Sequence, residues 1–222
     1  MATTGSFSLS DFDAAIVDLD GTMVDTAGDF VVALNLVLAE LALPAIDHAF
    51  VSRTIGKGSE YLIRQTLAHA GGDADLYDQA WARYQHHYGE INGQQSAPFP
   101  GVLEGLQKLR AAGLKLGCVT NKPTVYARQL LALKGLDGFF AQVFGGDAFE
   151  RKKPDPLPLV KTCEALGSAP AQTLMVGDSS NDVHAARAAG CAKVVLVSYG
   201  YNHGEPVATA GADRVIERLD QL

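Results

Sequence analysis

An α/β fold built on a doubly wound parallel sheet is predicted by two features of this chain: short apolar runs without polar alternation, and helical patterns between them. Continuous apolarity fits strands covered on both faces, as in a parallel sheet, whereas a half-exposed strand alternates. Runs at residues 14–19, 114–119, 173–176 and 194–197 read this way, with a fainter one at 142–144. Before the second run, Leu103, Leu106 and Leu109 recur at helical spacing, and Gly113 marks the helix stop ahead of Leu114. Val125, Leu130, Leu131 and Leu133 mark a helix after it; Val183, Ala186 and Ala189 mark another, ended by Gly190. Strands alternating with helices imply right-handed βαβ crossovers.

The alternation breaks after the first strand. From residue 26 to about 92 no strand signal stands out, and three amphipathic helices are expected. The first opens at Thr26 with Asp29 at the capping-box position. It continues through Phe30, Val31, Leu34, Val37, Leu38 and Leu41. Further helices are expected at 59–70 and 74–91, and residues 96–101, Ser-Ala-Pro-Phe-Pro-Gly, read as a stiff return linker. The chain thus divides into an α/β core of residues 1–25 and 97–222 and an all-helical cap of residues 26–96. A helical lid beside a strand-end site would exclude water and select substrate.

Bulk properties narrow the function. A hydrophobic content of 47% with 19% charged residues over 222 positions is that of a globular chain. With 25 acidic and 18 basic residues the formal charge is −7, which disfavours a nucleic-acid partner. No apolar stretch approaches the ~20 residues of a membrane span. Residues 1–10 lack the basic and hydrophobic regions of a secretory signal. Cys118, Cys163 and Cys191 show no CxxC spacing and read as reduced thiols, with Cys118 and Cys191 packed in or beside apolar segments. A cytoplasmic protein, monomer or homodimer, is expected.

Ligands of open α/β sheets bind at the carboxyl ends of strands. The first run ends in Asp18-Leu19-Asp20-Gly21-Thr22, the second in Thr120-Asn121. Arg151-Lys152-Lys153-Pro154 follows the faint run, and Gly177-Asp178-Ser179-Ser180-Asn181-Asp182 closes the 173–176 run. On an extended segment Asp18 and Asp20 point to one side, and two such anions need a cation or a shared proton. These residue types converge on phosphoryl transfer. Lys153 supplies charge to a phosphate dianion, and the Thr120 hydroxyl with the backbone N–H groups after it supplies donors. Asp18 and Asp178 suit Mg²⁺, which takes a few carboxylates and keeps several waters. An acyl phosphate on an aspartate would split a very slow hydrolysis into two steps.

In this order the clusters resemble the four motifs of the haloacid dehalogenase superfamily of phosphotransferases, and in detail those of its phosphoglycolate phosphatases. The resemblance rests on Asp18-Leu19-Asp20-Gly21-Thr22, Thr120-Asn121-Lys122, Lys153-Pro154-Asp155-Pro156 and the 177–182 segment, and it spans essentially the whole chain, helical cap included. It implies that Asp18 is the nucleophile that becomes phosphorylated. It implies that Asp20 protonates the leaving alkoxide, then deprotonates the hydrolytic water, and gives its backbone carbonyl to Mg²⁺. Thr120, Asn121 and Lys153 would receive the phosphoryl group, with Lys153 also easing repulsion around Asp18. Asp178 would bind Mg²⁺ directly, and Asp182 would orient the metal's waters or Lys153 from behind. Ser180 departs from the family's usual basic residue, and Met23 from its commoner Leu.

The substrate-selecting residues are less defined. Gly56-Lys57-Gly58 follows no strand and is no dinucleotide fingerprint. It is expected to be a cap loop, with Lys57 a candidate ligand for a substrate carboxylate and Arg53 and Arg64 as weaker candidates. The string of residues 199–206, Tyr-Gly-Tyr-Asn-His-Gly-Glu-Pro, resembles a segment of phosphoglycolate phosphatases. The expected activity is Mg²⁺-dependent hydrolysis of a small phosphorylated metabolite, with 2-phosphoglycolate the foremost choice. Alternatives are a phosphatase for another small metabolite, a sugar phosphomutase resembling β-phosphoglucomutase, and a non-catalytic phosphate-binding protein. A dehalogenase needs neither Asp20 nor a metal.

Overall fold

The computed structural model describes residues 7–222, so the reading of residues 1–10 falls largely outside the described residues. Strands β1 (Ala14–Val17) and β2 (Val24–Asp25) lead into four helices, α1 (Ala27–Glu40), α2 (His48–Thr54), α3 (Ser59–His69) and α4 (Tyr77–Ile91). Then come β3 (Ala97–Pro98), α5 (Val102–Ala111), β4 (Lys115–Val119), α6 (Thr124–Leu133) and β5 (Gln142–Phe144). The chain closes with α7 (Leu157–Leu166), β6 (Thr173–Gly177), α8 (Ser180–Ala189), β7 (Lys193–Val197) and β8 (Arg214–Ile216).

The main sheet has six strands in the order β5-β4-β1-β6-β7-β8, with parallel pairing throughout. Ala15 and Val17 face a core completed by α5 and α6, including Leu106, Leu109, Leu130 and Leu131. Ile16 faces the opposite core with Leu159 and Cys163 of α7 and Ala185 and Ala186 of α8. Successive residues therefore enter different cores, which is why these strands carry no polar alternation.

Three elements depart from expectation. β8 was unread because it is a three-residue edge strand with Val215 exposed. Residues 97–98, expected as linker, pair antiparallel with 24–25, so both ends of the helical segment lie side by side. The pair includes Pro98, which a two-stranded ribbon tolerates because one edge needs no donor. Finally, α2 is a helix of only seven residues, opened by Asp47 accepting from the Phe50 N–H at 2.8 Å.

The helices α1–α4 enclose their own apolar cluster, with Phe30, Leu34, Leu38, Leu62, Ile63, Tyr84 and Tyr88 at its centre. Asp29 does not close a capping box with Thr26, whose side chain makes no cap bond. Its buried carboxylate accepts from the backbone N–H groups of Gly93 (2.8 Å) and Gln95 (2.6 Å) instead. The return segment leaves two bare donors at the start of α1, and Asp29 is the acceptor that satisfies them. Asp29→Ala is therefore expected to destabilise the protein by about 2–3 kcal/mol, read by denaturant unfolding.

Candidate active site

Strand register assembles the site. Val17 lies opposite Cys118 on β4 and Val176 on β6, so three adjacent strands end almost level. Asp18, Thr120 and Asp178 leave the sheet at that shared edge. Between this edge and the helical segment lies a cavity lined by Asp18, Asp20, Thr120, Asn121, Lys122 and Lys153 from below. Phe30, Ile55, Gly58, Ser59, Leu62 and Tyr88 line it from above.

Asp18 is buried, and Lys153 is the one close partner its carboxylate has among the described residues. Its nearest charge is the Lys153 ammonium, 2.9 Å from Oδ1. Burial pushes the Asp18 carboxyl up to about 7, with Lys153 pulling the other way. Lys153 also donates to Asp182 Oδ1 at 2.7 Å and to the Val119 carbonyl at 2.8 Å. Burial alone would lower its pKa, but Asp18 and Asp182 together hold it above the usual lysine value.

Asp182 has no free oxygen. Oδ1 takes Lys153, and Oδ2 accepts from the Asp178 N–H, the Ser179 N–H and the Ser179 hydroxyl at 3.0–3.2 Å. Asp178 keeps one oxygen open, since Oδ2 alone accepts, from the Tyr201 N–H at 2.7 Å. Glycines close around it. At Gly21, whose φ is +83°, a Cβ would fall 2.3 Å from Asp178 Oδ2; at Gly200 it would fall 2.2 Å from the Asp178 Cβ. Burial, reinforced by the charges of Asp182 and Asp18, raises the Asp178 carboxyl well above its ordinary range.

Ligand oxygens of Asp18, Asp178 and Asp182 lie within 4.8 Å of one another. Three carboxylates face the single ammonium of Lys153, leaving two negative charges in a buried space if all are ionised. A divalent cation fits that deficit, and the open oxygens of Asp18 and Asp178 are those able to hold it. The Asp20 side chain is turned elsewhere: Oδ1 accepts from Lys122 Nζ at 2.9 Å.

Thr120 lines the cavity, its hydroxyl oxygen accepting from the Lys122 N–H. The Asn121 amide is committed to the scaffold, donating to the carbonyls of Gly56 and Lys153, both at 2.8 Å. Asn181 donates to the same Gly56 carbonyl at 3.1 Å, so the 56–58 loop is held to the sheet edge by its backbone. Lys57 is not brought into the cavity. It is exposed, with Nζ 5.1 Å from the centre of the Tyr61 ring. Arg64 stacks on Tyr77 and Arg53 packs near Gly204, both outside the lining.

One feature escaped the sequence reading, and another that it singled out gains a structural place. Lys122, quoted only as part of a motif, is a buried lysine at the heart of the cavity. The 199–206 string joins the helices to the sheet edge: the Tyr201 hydroxyl donates to Asp25 and accepts from the Thr26 and Ala27 N–H groups. Tyr199 donates to the Thr22 carbonyl at 2.8 Å, and the His203 ring sits beneath Gly56. Its Gly-Tyr alternation was the available signal, and its contacts give it a bracing role around Asp178.

The chain is similar to known proteins in sequence and fold. The family model described as haloacid dehalogenase-like hydrolase matches residues 15–197. The phosphoglycolate phosphatase of Thiobacillus denitrificans is 45% identical over 93% of this chain and 92% of its own length. The plasmid-borne phosphoglycolate phosphatase of Cupriavidus necator is 44% identical over 94% and 90%. Among solved structures, a predicted phosphoglycolate phosphatase from Haemophilus somnus superposes with a TM-score of 0.90 at 33% identity, covering 95% of this chain and 96% of that one. Sheet order, strand-end carboxylates and these likenesses lead to one assignment: the chain belongs to the haloacid dehalogenase-like hydrolase family.

Proposed function

We propose that this enzyme is a Mg²⁺-dependent phosphatase that hydrolyses 2-phosphoglycolate to glycolate and phosphate. The observation that carries the reading is Asp18: a buried carboxylate whose one close partner is Lys153, at the floor of the cavity. A carboxylate so desolvated is available as a nucleophile. The relatives' names supply the substrate.

An Asp18 oxygen attacks phosphorus as the bond from phosphorus to the glycolate oxygen breaks, and Asp20 gives that oxygen its proton. Water then attacks the acyl phosphate, its proton passes to Asp20, and phosphate leaves with Asp18 restored. Lys153 and the Thr120 hydroxyl hold the phosphoryl oxygens, with the Asn121 backbone N–H adding a donor. Asp182 fixes Lys153 in place. Mg²⁺, when bound through Asp18, Asp178 and the Asp20 carbonyl, offsets the charge of the phosphoryl group. Residues 26–96 act as a cap that excludes water, with residues 1–25 and 97–222 as the catalytic core.

No described helix is long and apolar enough to cross a membrane. The three cysteines are buried and free, which supports a cytoplasmic, reducing setting.

The test is phosphate release over a panel of phosphomonoesters, with and without Mg²⁺. Preference for 2-phosphoglycolate over sugar phosphates, abolished by a chelator and restored by Mg²⁺, is expected. Flat turnover across the panel sinks the substrate, and turnover in chelator sinks the metal. A hexose phosphate isomerised in the presence of its bisphosphate would replace hydrolysis by a mutase reaction.

A further inference from the structure

We infer that Lys122, together with the Tyr88 hydroxyl, receives the carboxylate of the substrate; this rests on the phosphoglycolate reading above. Lys122 follows Thr120-Asn121 at the end of β4, and only 1% of its side chain is exposed. Its ammonium donates to Asp20 Oδ1 at 2.9 Å and to Tyr88 Oη on α4 at 2.6 Å. It also lies 4.6 Å from the centre of the Phe30 ring and 5.0 Å from that of Tyr88.

The pair has capacity left. An ammonium carries three donors, and two are engaged; among the described residues no acceptor takes the third. Tyr88 spends its oxygen as an acceptor, and its own proton likewise finds no protein partner among them. Both groups line the cavity. Two N–H and O–H donors side by side form the fork that a carboxylate accepts.

Competing cations are excluded by position. Lys153 sits at the phosphoryl end, held between Asp18, Asp182 and the Val119 carbonyl. Lys152 pairs with Glu60, and Lys57 lies over Tyr61, both outside the lining. The substrate's own connectivity makes the same choice. In 2-phosphoglycolate the carboxylate is attached to the carbon bearing the leaving oxygen, so its receptor must adjoin the residue that protonates that oxygen. Lys122 touches Asp20; Lys57 does not reach the cavity. Walled by Phe30 and Tyr88, the ammonium favours an anion, tolerates a neutral group poorly and repels a cation.

The experiment compares kcat/KM for 2-phosphoglycolate, ethyl phosphate and O-phosphoethanolamine, which share a two-carbon leaving group ending in an acid, a methyl or an ammonium. The unaltered enzyme is expected to prefer acid over methyl over ammonium. Lys122→Met should lower the acid-to-ethyl ratio about 100-fold, the scale of removing one member of a buried ion pair, and Lys122→Arg should restore most of it. If Lys122 acts only through Asp20, both substrates fall together and the ratio stays fixed, which overturns the inference while leaving the substrate intact. An unaltered enzyme with no preference for the acid overturns the substrate reading and this inference together. Should thermal melting show the Met variant unfolded, Tyr88→Phe carries the same test: a ratio lowered about tenfold supports the assignment, and an unchanged ratio overturns it.

Discussion

Asp18→Asn is expected to lower kcat by at least ~10⁴-fold while leaving the fold intact. The amide is nearly isosteric but cannot form the acyl phosphate. The fold survives because Lys153, the one partner of the Asp18 carboxylate, keeps Asp182 and the Val119 carbonyl. Stability should in fact move the other way. Burial pushes this carboxyl up to about 7 from an ordinary 3.8. A group raised on folding lends stability below its unfolded value, and that contribution is lost as pH climbs through the folded value. The metal-free Asn variant, which does not titrate, should therefore match the parent near pH 4 and melt higher at pH 8. Phosphate release together with melting at both pH values checks this. Retained turnover would contradict the nucleophile, and a lower melting point at pH 8 would contradict the desolvated carboxylate.

The sheet and the polar residues at its carboxyl edge were legible because burial on both faces imposes a simple pattern. Ile16 and Val17 serve opposite cores, so the run stays apolar until Asp18, and the same holds for the runs before Thr120 and Asp178. A polar residue ending such a run at the carboxyl edge is a candidate for a site. What escaped depends on contacts far apart in the chain. Asp29 sits at a capping position, and no local rule reveals that Gly93 and Gln95 will claim its oxygens. In the 56–58 loop, Gly56 and Gly58 line the cavity, but the Gly56 carbonyl is bonded to Asn121 and Asn181 while Lys57 is exposed over Tyr61. Lys122 was hidden for the opposite reason: lysines are seldom buried unless paired, and its partners Asp20 and Tyr88 lie 102 and 34 residues away. Helical amphipathicity placed Tyr88 on α4, but not the cavity it lines.

Lys153→Met should also abolish turnover, with a stability cost that Asp18→Asn avoids. Lys153 is almost wholly buried between Asp18 and Asp182. Removing it strands two carboxylates in a space that already disfavours charge. Breaking a buried pair in this way costs about 3–5 kcal/mol, chiefly from the uncompensated partner rather than from the lost bond. The partners are unequal. Asp182 keeps three other donors, from Asp178 and Ser179, so it remains tolerable as an anion. Asp18 keeps none. The deficit should thus reside mostly at Asp18, and adding Asp18→Asn to Lys153→Met should recover about 1–2 kcal/mol. Denaturant unfolding of the four proteins of this cycle at pH 8, in chelator, measures the coupling directly. Strictly additive effects would show that Lys153 contributes through packing of its alkyl stem and not by balancing Asp18. A recovery as large as the original loss would place the whole burden on Asp18, the carboxylate the lysine holds ready for phosphorus.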